Sequence, residues 1–235
     1  MSGAGLRTKV AAEFLGTFVF VLVGVGSAVA TSALGITDSA ASLLIAALAN
    51  GLGLAMAVSA TMAVSGGSLN PAVTLCLFVA RKLQAREVLP YVIAELAGAI
   101  LAGLALTASF PAAFGNAAHW GAPTLAGSVT VAQGTLIELI MTFVLVFAIF
   151  GTAVDSRAPK IGGLGIGLAV LVDVLTGGPF TGAAMNPARA MGPMIAGLFL
   201  PGYWYIYWVG PIAGAILAAL AYRYAVEGKG WTSAA

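Results

Sequence analysis

Six stretches of this chain are apolar with scarcely a charged position inside them. They fall near residues 9–31, 41–63, 87–109, 131–153, 161–179 and 203–225. Each comes close to the roughly 20 residues a helix needs to cross a bilayer. Strands of a membrane barrel would alternate apolar and polar positions over about 10 residues, and the unbroken runs here argue against that. Two further apolar stretches, near 70–79 and 186–197, are about half as long. They are too short to span. At membrane depth, irregular backbone is tolerated only where it is buried in protein or lines a water-filled cavity. The pattern predicts an all-α membrane protein with six transmembrane helices plus two half-helices.

Composition agrees. Of 235 residues, 60% are hydrophobic and 8% charged, which suits a polytopic helical membrane protein and no soluble domain of this size. The net charge of +2 comes from Lys and Arg confined to a few loops, so it says nothing about nucleic acid. Arg7, Lys9, Arg81, Lys82, Arg86, Arg157, Lys160, Arg223 and Lys229 fall at the two termini and in the connections of the 80s and 150s. With six spans these four places share one side. Basic residues mark the cytoplasmic side, so both termini are predicted inside. The first half-helix then enters from the inside and the second from the outside. Arg189 is the single basic residue of the other connections. The N-terminus MSGAGLRTKV leads directly into the first apolar run, which holds Glu13, and reads as a first span rather than a cleaved signal. One cysteine, Cys76, permits no internal disulfide and suits packing of a half-helix.

The halves are related. The block from Tyr91 to Ala105 aligns with that from Tyr207 to Ala221, at an offset of 116. Glu13 with Thr17, Phe18 and Val19 matches Glu138 with Thr142, Phe143 and Val144, at an offset of 125. Three spans per half is an odd number, so the second copy is inserted upside down. The expectation is one channel domain over residues 1–235, built of inverted repeats at about 1–115 and 125–235. Ala94, Gly98 and Ala102, with Gly210, Gly214 and Ala218, form ladders of small residues at the same offset. Small residues let backbones approach closely, and the symmetric placement predicts that the third and sixth spans cross each other.

Each short stretch opens on the same tripeptide, Asn70-Pro71-Ala72 and Asn186-Pro187-Ala188. Proline suits the first position of a helix and the preceding Asn can cap it. With Ser65 to Thr74 and Thr181 to Arg189 around them, these motifs make nearly the whole chain similar to the aquaporin, or major intrinsic protein, family. Ser68 stands where that family often has His. The resemblance implies an aquaporin-like right-handed bundle in which the two half-helices meet head to head. Each Asn amide offers two hydrogen bonds, and each half-helix start carries roughly +0.5 charge. A water between them accepts from both Asn and turns its hydrogens outward, which breaks a proton wire while the positive ends repel cations.

Further site residues follow from the resemblance. Arg189 would be the arginine of the outer constriction. An intramembrane charge costs about 2.5–3.5 kcal/mol on insertion scales and defaults to a functional site. Family spacing from the two motifs puts Asn50, Val174 and Ala183 beside it in the filter, which lacks the Phe and His of strict water channels and resembles the tonoplast-type, ammonia-permeable branch. Glu13 and Glu138 would be structural acids that hold the irregular loop before each half-helix. Glu95 stands where the family often has Gln, with a hydrogen-bonding role. Asp173 is taken as structural, and His119 as solvated in an outer loop.

These features imply a passive channel for water and other small neutral solutes, ammonia and hydrogen peroxide among them, that excludes protons and ions. The alternative is a glycerol, urea or metalloid facilitator of the same family. Ala190 after Arg189, the Tyr207-Trp208 pair and short loops favour the water branch. The single His119 and the absence of HExxH or GxSxG argue against an enzyme. No catalytic residue, metal site or cofactor is expected. The expected partners are the solutes, membrane lipid and three further copies in a homotetramer. The expected location is the cell (plasma or inner) membrane.

Overall fold

The computed structural model describes residues 3–159 and 161–228. Lys160 and Lys229, counted above with the basic residues, lie outside the described part. The chain runs through α1 (Leu6–Ala33), α2 (Ser39–Thr61), the short α3 (Pro71–Val79), α4 (Ala85–Ser109), a single-turn α5 (Ala112–Ala117), α6 (Val131–Ile149), α7 (Leu164–Thr181), the short α8 (Pro187–Ala196) and α9 (Ile206–Ala225). A π-helical turn, Phe150–Val154, extends α6. No strand occurs among the described residues. Among the described residues, six helices are long and apolar enough to cross a membrane: α1, α2, α4, α6 with its extension, α7 and α9. Helices α3 and α8 are the two half-helices.

The surface is built for lipid. Leu15, Leu52, Leu89, Leu136 and Leu217 are all exposed, while Glu13, Glu95, Glu138, Asn70 and Asn186 are buried. Large apolar side chains thus face outward where a soluble protein would place polar ones, while the interior holds these polar groups within an apolar core that includes Phe20, Val21, Val146 and Phe150.

Helix packing repeats across the two halves. α1 packs on α4, α6 packs on α9, and α2 packs on α7. The small-residue ladders serve the first two of these contacts. A Cβ at Gly98 would fall on the carbonyl oxygen of Phe14, and one at Gly214 on that of Leu139. The expected crossing of the third and sixth spans is therefore corrected: α4 uses its ladder against α1, and α9 uses its ladder against α6. A stripe of small residues requires a close neighbour but carries no information about which helix that is. The closest approach between the halves lies elsewhere. A Cβ at Gly51 of α2 would meet the Gly167 carbonyl of α7 at 2.7 Å, and a Cβ at Gly167 would fall on the Gly51 carbonyl. These two glycines are themselves 116 positions apart.

The half-helices are wedged between spans of the opposite half, α3 against α9 and α8 against α4. Arg223 of α9 donates to the Ala80 carbonyl at the end of α3, 3.4 Å away, where a cation opposes the negative end of the helix dipole. Lys9 of α1 pairs with Glu87 of α4 at 2.8 Å. At the end of α6, Asp155 accepts from Arg157 and from the Tyr222 hydroxyl. The Arg157 guanidinium holds that carboxyl well below the usual carboxylate range.

Candidate functional site

The two loops that lead into the half-helices share one backbone. Gly66 and Gly67 have φ of 98° and 64°, and Leu69 has 50°. In the second loop Gly182 has 78°, Ala183 has 41° and Met185 has 52°. Three of these six are not glycine, and left-handed backbone costs an L-residue roughly 1–2 kcal/mol. Something must hold them.

The holders are the two buried acids. Glu13 accepts from the backbone N–H groups of Ser68 at 3.1 Å and Leu69 at 2.7 Å. Glu138 accepts from Ala184 at 2.9 Å, from Met185 at 2.7 Å and from the Thr181 hydroxyl at 2.7 Å. Tyr91 donates to the Ser65 carbonyl at 2.9 Å, and Tyr207 to the Thr181 carbonyl at 2.9 Å. Within each loop a hydroxyl also accepts two residues on, Ser65 from Gly67 and Thr181 from Ala183, both at 3.1 Å. Every one of these bonds in the first loop has its counterpart in the second.

Asn70 and Asn186 end the loops and start the helices. Asn70 Oδ1 accepts from Ala72 N–H at 2.9 Å, and Asn186 Oδ1 from Ala188 at 2.9 Å and Arg189 at 3.1 Å. Pro71 and Pro187 follow at the first helical position. The nitrogens do something the sequence does not announce. Asn70 Nδ2 donates to the Met185 carbonyl at 2.9 Å, and Asn186 Nδ2 to the Leu69 carbonyl at 2.8 Å. Each amide thus spends one hydrogen clasping the opposite loop and keeps one.

A cavity of about 420 Å³ runs past both asparagines. Asn50, Ser68, Ala183 and Arg189 line it beside Asn70 and Asn186; Val174 is buried in α7 and is not in that lining. Apolar walls come from Phe20, Leu145, Ile149, Ile166 and others. Asn50 donates both amide hydrogens to backbone, to Gly24 at 3.2 Å and Ala46 at 2.9 Å, so its oxygen is the side chain's uncommitted polar atom.

Arg189 is held by a feature that no motif signalled. Its guanidinium donates to the Gly121 carbonyl at 3.3 Å. Gly121 ends a turn, His119–Gly121, whose three residues all have positive φ, 46°, 52° and 73°. Trp120 is buried in that turn and donates from its indole to Asn116 at 2.9 Å. His119 is exposed and stacks on Phe199 with ring centroids 4.6 Å apart. Glu95 accepts from the Thr74 hydroxyl of α3 at 2.6 Å, and its carboxyl lies beside that of Glu13. Asp173 is buried in α7 with one oxygen unpartnered.

The family description "Major intrinsic protein" matches residues 2–222. The chain belongs to the major intrinsic protein family. It is 43% identical to "Probable aquaporin TIP3-2" of Arabidopsis thaliana over 225 residues, covering 92% of this chain and 82% of that one. It is 44% identical to "Aquaporin TIP4-4" of Zea mays, covering 94% and 87%. Its fold is that of the aquaglyceroporin from Plasmodium falciparum, with a TM-score of 0.83 at 24% identity, covering 94% and 97%. With six helices able to span, it is an integral, multi-pass membrane protein of this family, and both of these plant relatives carry TIP-type aquaporin names.

Proposed function

We propose that this aquaporin is a passive, bidirectional pore that conducts water and small neutral solutes, ammonia and hydrogen peroxide among them, and rejects protons and ions. The observation that carries the reading is the crossed pair of asparagines. Each keeps one amide hydrogen in a lumen where two half-helix starts converge. A passing water accepts from both, and its own hydrogens point away toward the two mouths. A chain of waters so oriented cannot relay a proton through the centre, and the converging positive dipole ends oppose cations.

The filter is formed by Asn50, Val174, Ala183 and Arg189, with no aromatic ring among them. Cavity lining by Asn50, Ala183 and Arg189 supports three of the four positions. Glu13 and Glu138 keep the loop carbonyls in place and take no part in proton transfer. The chain is a single domain of two inverted repeats, about 1–115 and 125–235; the matched bonds of Tyr91 and Tyr207, and of Glu13 and Glu138, support that division. It acts as a channel and not an enzyme, as a homotetramer with one pore per protomer. The basic residues at the ends of the spans support an orientation with both termini cytoplasmic.

Stopped-flow light scattering of proteoliposomes, with water, ammonia, hydrogen peroxide and glycerol as permeants, tests this reading. The expected order places glycerol far below the other three. Glycerol flux on a par with water would favour a facilitator instead.

A further inference from the structure

The proposed filter carries an asymmetry that points to a residue behind it. Ile149 and Ile166 both line the cavity. At the offsets that relate the two halves, 125 and 116, their counterparts are Gly24 and Asn50. One half fills these two wall positions with a pair of isoleucines. The other uses a residue with no side chain and a residue with an amide.

Gly24 and Asn50 fit together closely. A Cβ at Gly24 would meet Asn50 Oδ1 at 2.5 Å, Cγ at 2.9 Å and Cα at 3.4 Å. The Gly24 carbonyl accepts from Asn50 Nδ2 at 3.2 Å while Ala46 takes the other hydrogen at 2.9 Å. The amide therefore lies flat against the backbone of α1, in space that any side chain at Gly24 would occupy. Phe20, one turn earlier on α1, lines the cavity directly. Gly24 itself is buried behind Asn50.

We infer that Gly24 is the positioning residue that sets the width and polarity of the filter. It gives the Asn50 amide a recess to lie in, and its carbonyl helps commit both amide hydrogens. The wall then presents an acceptor oxygen set back from the lumen, in the same cavity that Arg189 lines. The solute class this suits is small neutral molecules that both donate and accept and are bulkier than water, hydrogen peroxide being the simplest. This inference rests on Asn50 being a filter residue.

The test uses the full-length protein in proteoliposomes and reads the ratio of hydrogen peroxide to water permeability. Gly24→Ala should push the amide out of its recess and lower the ratio several-fold while water flow persists. Asn50→Ala placed in the same background should restore it, because the displaced group is gone. A simple loss of folding would lower both permeabilities together and would not be rescued. Asn50→Leu offers a second route that leaves Gly24 untouched. It has similar bulk but no donor to latch, so it too should lower the ratio. An unchanged ratio in Gly24→Ala beside a lowered one in Asn50→Phe would overturn the role of Gly24 and leave the filter standing. A lowered ratio in Gly24→Ala that Asn50→Ala fails to restore would also overturn it. Unchanged ratios in Gly24→Ala, Asn50→Leu and Asn50→Phe alike would remove Asn50 from the filter, and both readings with it.

Discussion

Asn70 donates its side-chain amide to the backbone carbonyl of Met185, 2.9 Å away and 115 positions along the chain. With the return bond from Asn186 to Leu69, it makes each half-helix loop part of the other's support. The motif asparagines therefore do three things at once. The oxygen caps a helix, one hydrogen ties the halves together, and one hydrogen is left for the lumen.

Asn70→Ala should lose the cap and the clasp together. A cap is worth about 1 kcal/mol and a neutral hydrogen bond about 1 kcal/mol more. Asn186→Ala should cost a similar amount, and the double variant should cost less than the sum, since both bonds support the same junction. Thermal unfolding in detergent measures this. Strict additivity would show that the two clasps act independently.

Glu138→Gln should damage the protein badly, whereas Glu95→Gln should be close to neutral. Both oxygens of Glu138 already accept, from Ala184, Thr181 and Met185. A Gln amide nitrogen would set a donor against one of those donors and leave it unsatisfied, at about 1–3 kcal/mol. Glu95 accepts from the Thr74 hydroxyl and lies beside the Glu13 carboxyl, and Gln can still accept from Thr74 while offering Glu13 a donor. Folded yield and water permeability of the two variants, compared side by side, decide the point. Equal damage from both would contradict it.

Gly121→Ala should weaken selectivity without touching a filter residue. Gly121 has φ of 73°, and an added Cβ would meet Val25 Cγ1 at 2.6 Å and the Val25 carbonyl at 2.7 Å. The turn must move, and with it the carbonyl that Arg189 uses. Arg189→Val should go further, admitting more solutes and weakening cation exclusion. The check is solute-to-water ratio and cation flux in both variants. An unaltered ratio in folded Gly121→Ala would mean that Arg189 does not depend on this turn.

Gly98→Ala and Gly214→Ala should each destabilise the bundle by about 1–3 kcal/mol, the usual range for overpacking, because each Cβ falls on a carbonyl of the helix opposite. Gly127→Ala is the control, with nothing within 4 Å of its added Cβ. Heating scans in one detergent would compare all three. A neutral Gly98→Ala would show that α1 and α4 slide apart at little cost.

The spans, the half-helices and their asparagine caps could be read from the sequence because each has a local signal: a long apolar run, a short one, and Asn-Pro at a helix start. The acids could be singled out because a carboxylate inside an apolar run must find hydrogen-bond or charge partners within the protein. Partner choice could not be read in the same way. A membrane helix is apolar on most faces, so the Gly98 and Gly214 ladders mark a close contact but not its partner, and the crossing expected between α4 and α9 is replaced by two separate packings. The Gly121 perch for Arg189 and the left-handed Leu69 and Met185 left no trace either. Their conformations are imposed by contacts dozens of residues away and not by their own propensities.

The central claim is that water passes the paired asparagines while protons do not. The direct measurement takes one batch of proteoliposomes and records osmotic shrinkage and, under an imposed potential, internal pH. The account predicts water permeability rising in proportion to protein amount, with pH equilibration no faster than in protein-free vesicles. Proton entry that scales with protein amount, or shrinkage no faster than in empty liposomes, would contradict it.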